Sequence, residues 1–210
     1  MKLVAISVGK PTLVKWQRRT VQTSIFKTPV SARVHIGRIN IDGDAQADLR
    51  VHGGIDKAVY AYPAEHYSFW RGELPDAELS WGAFGENLTT EGLLEDDVRI
   101  GDRFRMGDAE LVVTQPRMPC FKLAIRFGRS DIVKRFLKSR RTGFYLAVER
   151  EGDATAGDAI ERIARDGNRL TVDDVVSLHG AKSANGPLLQ IASEHPALPA
   201  SWREHFRKRL

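Results

Sequence analysis

The chain has 210 residues, a formal charge of +5 and 42% hydrophobic residues, enough to bury one large domain or one domain with a small appendage. No run approaches the roughly 18 apolar residues of a membrane span, and Met1-Lys2-Leu3-Val4 opens like a strand rather than a secretory leader. Its single cysteine, Cys120, excludes an intramolecular disulfide and any zinc site built on several thiolates, so the expectation is a cytoplasmic protein without membrane contact.

The first two-thirds read as short strands. Leu3–Val8 and Val21–Phe26 are rich in β-formers, and Val30, Ala32, Val34 and Ile36 alternate at period two. A strand at Ala58–Tyr62 leads into a helix expected over Pro63–Trp70, with the proline in its first turn. Arg103–Met106 and Leu111–Val113 are further strands, followed by a helix over Ser130–Lys138 capped by its serine and a strand at Phe144–Val148. Gly-Asp pairs at 43, 101, 107, 152 and 157 mark turns between them. The pattern predicts a mainly β (α+β) domain over 1–165, a closed barrel or sandwich. From Asp166-Gly167-Asn168 onward, three short helices are expected, opening at Thr171, at Gly186-Pro187 and at Pro199. Helices this short bury no core of their own, so residues 166–210 must dock on the strand domain or on a second copy in a homodimer.

Charge is unevenly placed. Between Gln115 and Arg150 ten lysines and arginines face two acids, a local +8 that exceeds the charge of the whole chain. This excess surrounds Cys120, where it would draw in an anionic cofactor or substrate. No interleaved aromatic and basic stripe accompanies it, which argues against nucleic-acid binding. Cys120 follows Pro116 and Pro119, so its backbone is stiffened, and Arg117 and Lys122 flank it with charge that favours a thiolate. A thiolate is also the side chain a soft metal selects. The competing reading of an isolated thiol is a small buried hydrophobe.

Two other segments carry polar chemistry. His52-Gly53-Gly54-Ile55-Asp56-Lys57 lets backbone N–H groups approach a phosphate, with His52 and Lys57 as cationic donors; the same glycines also suit a plain tight turn. Phe84-Gly85-Glu86-Asn87-Leu88-Thr89 offers Asn87 and Thr89 as hydrogen-bonding side chains, or as turn and capping residues. The six histidines suggest no tight pair, and His195 and His205 are expected at the surface of the tail.

Taken in order, Asp42-Gly43-Asp44-Ala45-Gln46-Ala47-Asp48, the His52–Lys57 block, Tyr62-Pro63-Ala64-Glu65-His66-Tyr67, Phe84–Leu88 and Gln115-Pro116-Arg117-Met118-Pro119-Cys120-Phe121-Lys122-Leu123 resemble the MOSC domain family. Arg141-Thr142-Gly143-Phe144-Tyr145 and Ala156-Gly157-Asp158 fit as well, and the three-helix tail resembles that of the YiiM-like branch. The resemblance implies a β-barrel-like fold that binds the molybdenum cofactor, a pterin dithiolene with a terminal phosphate. It makes Cys120 the metal ligand and catalytic centre, with Asp48 and His52 orienting the site or relaying protons. Lys27, Lys57 and Arg117 become the first candidates to hold the pterin, with His52, Gly53, Gly54, Asp56, Asn87, Thr89 and Lys122 beside them.

The implied activity is reduction of N-hydroxylated compounds, such as N-hydroxylated purine bases, to amines. The chain lacks a four-cysteine iron–sulfur domain, so electrons would come from a separate flavoprotein reductase. The alternatives are a sulfur carrier with a Cys120 persulfide and a module that stores or delivers the cofactor.

Overall fold

The computed structural model describes residues 1–47, 53–181 and 186–210. The first strands are β1 (Lys2–Val8), β2 (Thr12–Trp16), β3 (Arg19–Thr23), β4 (Thr28–Val30) and β5 (Val34–Ile36). They are followed by β6 (Val59–Pro63), helix α1 (His66–Glu73), β7 (Leu88–Glu91), β8 (Arg103–Met106) and β9 (Ala109–Pro116). Two helices, α2 (Phe121–Phe127) and α3 (Ile132–Ser139), precede β10 (Phe144–Arg150), β11 (Gly152–Ala154) and β12 (Ile160–Ala164). The tail is α4 (Val172–Gly180), α5 (Pro187–Glu194) and α6 (Ala200–Arg207).

The architecture is mixed α+β. Eight strands form one sheet in the order β12-β8-β9-β10-β6-β7-β1-β4, antiparallel except where β6 runs parallel to β7. The start of β1 reaches across to the approach of β12: Leu3 N donates to Asp158 O at 2.9 Å and Ile160 N donates to Met1 O at 3.0 Å. These bonds bring the sheet round on itself and satisfy backbone groups that an open edge would expose.

Period-two alternation divides the core. Val59 and Ala61 of β6 enter a cluster with Leu3, Ile6, Phe104, Leu111 and Leu146. Tyr60 and Tyr62, on the opposite face, join Tyr67, Trp70, Phe84, Leu123 and Phe136 beneath α1–α3. Trp70 donates its indole N–H to the Tyr62 hydroxyl at 2.6 Å, so that this aromatic layer is also hydrogen-bonded. The tail packs into the first cluster through Leu170, Val175, Leu189, Leu198 and Phe206.

Several local readings are corrected. Pro63 ends β6, where its missing N–H leaves the ladder intact because Ala64 N makes the next bond to Thr90 O at 2.7 Å; the helix begins at His66. Ser130 does not cap α3. Asp131 precedes the helix, and its carboxylate is taken by Arg129 at 2.7 Å instead of by the helix amides. Helix α2 was hidden between the prolines and the basic run. His195 is buried, with Nε2 3.3 Å from Asp166 Oδ1. His179 and His205 do meet, ring centroids 5.0 Å apart, although no cluster of three metal-ligating side chains occurs among the described residues. Thr171 does cap α4: its hydroxyl accepts from Asp174 N and its own N–H donates to Asp174 Oδ2, both at 3.0 Å. Among the described residues no helix is long and apolar enough to cross a membrane.

Candidate functional site

Cys120 occupies the cap position of α2 in an extended conformation (φ −123°, ψ 175°), and its carbonyl accepts from Leu123 N at 2.9 Å. The two prolines thus hand the thiol to a fixed helix start. It borders an open cavity of about 100 Å³. Lys27, Gly53, Lys57, Asn87, Arg117 and Lys122 line the same cavity, drawn from four separated stretches of chain.

Other predicted residues fall elsewhere. Asp48 and His52 lie outside the described residues. Gly54 does not line the cavity, but with Gly53 it adopts positive φ (86° and 105°), where a side chain would be strained; the glycines shape a turn that delivers Lys57. Asp56 points its side chain to solvent and contributes its backbone carbonyl, which accepts from Thr114 Oγ1 at 2.7 Å. Thr89 is a correction. It is wholly buried and donates to Glu86 Oε1 at 3.1 Å, since strand alternation turns its hydroxyl inward, away from the cavity.

Glu86 is the hub of that inner network. Its carboxylate accepts from Gly82 N at 2.9 Å, Phe84 N at 3.1 Å and the Tyr67 hydroxyl as well as Thr89. Burial raises its pKa, with the Tyr67 hydrogen bond and the backbone amides opposing. The hub freezes the loop that presents Asn87 and Gly85 to the cavity.

The cavity residues that the sequence did not single out include Asp44, Tyr60 and Tyr145. Asp44 pairs with Lys27 and accepts from Gly9 N at 2.8 Å and Asn87 Nδ2 at 2.9 Å. Burial pushes the Lys27 ammonium below its ordinary value, while Asp44 and then Glu86 pull it back up. The Lys27 charge is therefore matched inside the protein. Lys57 is also lowered by burial, against the pull of Asp56.

Arg117 is 6% exposed and its guanidinium lies over the Tyr60 and Phe136 rings, 5.3 and 5.2 Å from their centroids. Nη2 donates to Phe84 O at 3.4 Å, whereas Nη1 has no hydrogen-bond partner among the described residues. Burial works against the charge, yet Tyr60, Tyr145 and Cys120 around it hold the guanidinium above its ordinary range. Burial raises the Tyr145 phenol, with Arg117 opposing, so the phenol keeps its proton. The cavity accordingly combines a thiol, a phenol donor, a permanently charged guanidinium with an unused N–H, and lysines. This donor set fits an anionic ligand that also carries a soft metal: buried unsatisfied donors are rare unless a ligand or water completes them.

The MOSC domain profile matches residues 48–161. Protein YflK of Bacillus subtilis is 42% identical over 99% of this chain and 93% of its own length. Protein YiiM of Escherichia coli is 34% identical, covering 99% of this chain and 88% of its own. A Gibberella moniliformis protein named a reductase is 32% identical over 84% of this chain, which spans only 32% of that longer protein. The crystal structure of YiiM from Geobacillus stearothermophilus superposes with a TM-score of 0.84 at 37% identity, covering 100% of this chain and 98% of that one.

Proposed function

Because the chain belongs to the MOSC domain family, with YiiM-like relatives along its whole length, we propose that the cavity beside Cys120 holds a molybdenum cofactor and that the protein reduces N-hydroxylated compounds to amines. One observation carries the reading: Cys120 shares its cavity with Arg117, whose buried guanidinium keeps an unpartnered N–H among the described residues. Cys120 would ligate the metal. Arg117, Lys57 and Lys122 would hold the anionic pterin, and Asn87 would add a neutral donor. Lys27, already paired with Asp44, would set the wall rather than bind directly.

When bound, the cofactor supplies the two-electron chemistry that converts an N–OH group to N–H with release of water, two protons being consumed. The chain's own part is to bind, orient and protonate. Tyr145 offers an O–H inside the cavity, and the aromatic wall of Tyr60 and Tyr145 (ring centroids 5.4 Å apart) suits a planar heterocycle such as a purine base. Asp48 and His52 are proposed, from the family resemblance alone, to orient the site or relay protons. A separate flavoprotein reductase would supply electrons.

The test is elemental analysis of freshly purified protein together with turnover of an N-hydroxylated purine base under a chemical reductant. About one molybdenum per chain with amine formation, both lost in Cys120→Ala, is the expected result. Metal without turnover would instead indicate storage or delivery, and a labile sulfane sulfur on Cys120 without metal would indicate a sulfur carrier.

A further inference from the structure

The tail helix α6 reaches the site through one side chain. Trp202 donates its indole N–H to Gln115 Oε1 at 2.7 Å. An indole only donates, so Gln115 must present its carbonyl to Trp202 and its NH₂ the other way. There Gln115 Nε2 donates to the Asp56 carbonyl at 3.3 Å. Asp56 sits in the turn Ile55–Lys57, between the Gly53-Gly54 pair and Lys57.

The strand geometry makes this reach possible. Tyr145 pairs with Gln115 but Leu146 pairs with Val113, so Thr114 is an extra residue in β9. Such a bulge re-aims side chains. Neighbours that would ordinarily face opposite sides, Thr114 and Gln115, both reach the Asp56 carbonyl. Gln115 is 3% exposed, so its two polar ends depend on these partners. Trp202 in turn is wedged between His179 and Phe206, with ring centroids 5.1 and 5.7 Å away, and Phe206 is fully buried.

We propose that Trp202 is a positioning residue for the cavity: through Gln115 and the Asp56 carbonyl it fixes the turn that carries Lys57. The tail thereby sets where one cavity cation points, although none of its described residues lines the cavity. This holds for any anion the cavity receives and does not depend on the redox reading.

Trp202→Phe keeps the ring and removes the N–H; Gln115→Leu removes the middle of the relay. Lysine side-chain NMR titration of the full chain, each resonance assigned by a single Lys→Arg variant, reads both cavity lysines. In each variant the Lys57 midpoint should move up toward the ordinary 10.5 as the turn loosens into water, while Lys27, held by Asp44, stays in place. The double variant should move Lys57 no further than either single one. An unchanged Lys57 in both variants would overturn the proposal. So would a joint shift of Lys57 and Lys27, which would make Trp202 a general stability residue.

Discussion

Arg117 holds its guanidinium 5.3 Å from the centroid of the Tyr60 ring, stacked rather than salt-bridged, so its charge is buried without a carboxylate partner among the described residues. Among the described residues this buried charge meets rings, the Tyr145 phenol and one carbonyl but no carboxylate, which costs stability, and replacing such a group with an apolar one is often neutral or stabilising. Arg117→Met should therefore keep or raise the thermal midpoint while losing pterin and molybdenum on purification. Calorimetry with metal analysis checks it. A variant that melts earlier yet retains its metal would place Arg117 in the framework instead of the binding site.

Asp44 answers the opposite way, because it accepts from three donors among the described residues. Asp44→Ala orphans the Lys27 ammonium, the Gly9 N–H and one Asn87 N–H. The expected cost is about 3 kcal/mol in urea denaturation, in the range for breaking a buried pair. Adding Lys27→Met to Asp44→Ala should recover part of it, since the uncompensated cation is then gone. Equal stability of the single and double variants would show that the amides, not the charge, depend on Asp44.

Lys57 gives the cavity a pH dependence whose sign follows from burial. Its pKa lies below 10.5, so the folded chain loses this proton before the unfolded one does. Between the two values the unfolded state binds more protons, and stability rises with pH there. Anion affinity runs the other way: it should fall as pH climbs through the same window toward 10.5, with Arg117 leaving a residue of binding. Titrating inorganic phosphate by calorimetry at several alkaline pH values reads this directly. Lys57→Arg, which keeps its charge, should flatten the profile; a decline that persists in this variant would assign it to another group.

Local chemistry was legible where residue types are distinctive. The proline-flanked thiol, the glycine turn before Lys57 and the Thr171 cap were all visible because each depends on a few adjacent residues. Asp44 was not, since Asp42-Gly43-Asp44 reads as turn chemistry and its Lys27 partner is 17 residues away. Tyr60 and Tyr145 looked like ordinary strand aromatics; only the pairing of β10 with β6 sets them side by side. Thr89 was misplaced because a hydroxyl beside a glycine-rich loop suggests a ligand contact, whereas the inner carboxylate of Glu86 claims it. The Trp202–Gln115 bond spans 87 residues and needs a bulge that no periodicity announces.

The same long-range packing governs the tail. Leu170, Val172, Val175, Leu189, Ala192, Leu198 and Phe206 are each at most 1% exposed and share a cluster with Leu3, Phe104 and Leu111. Backbone bonds join the two parts as well: Ile100 N to Leu170 O at 2.8 Å, Val172 N to Val98 O at 2.9 Å and Asp173 N to Glu95 O at 2.9 Å. Burying one large apolar side chain is worth about 1.5–3 kcal/mol, and a whole domain is stable by about 5–15 kcal/mol. A chain ending at Arg165 gives up several such side chains at once. It should be insoluble, or soluble only with dye-binding apolar surface and no cooperative melt. The milder Leu198→Ala should fold but lose about 2–5 kcal/mol in denaturation. A truncated chain that is soluble and melts cooperatively would mean that the strand domain closes its core alone and that the helices only lie on it.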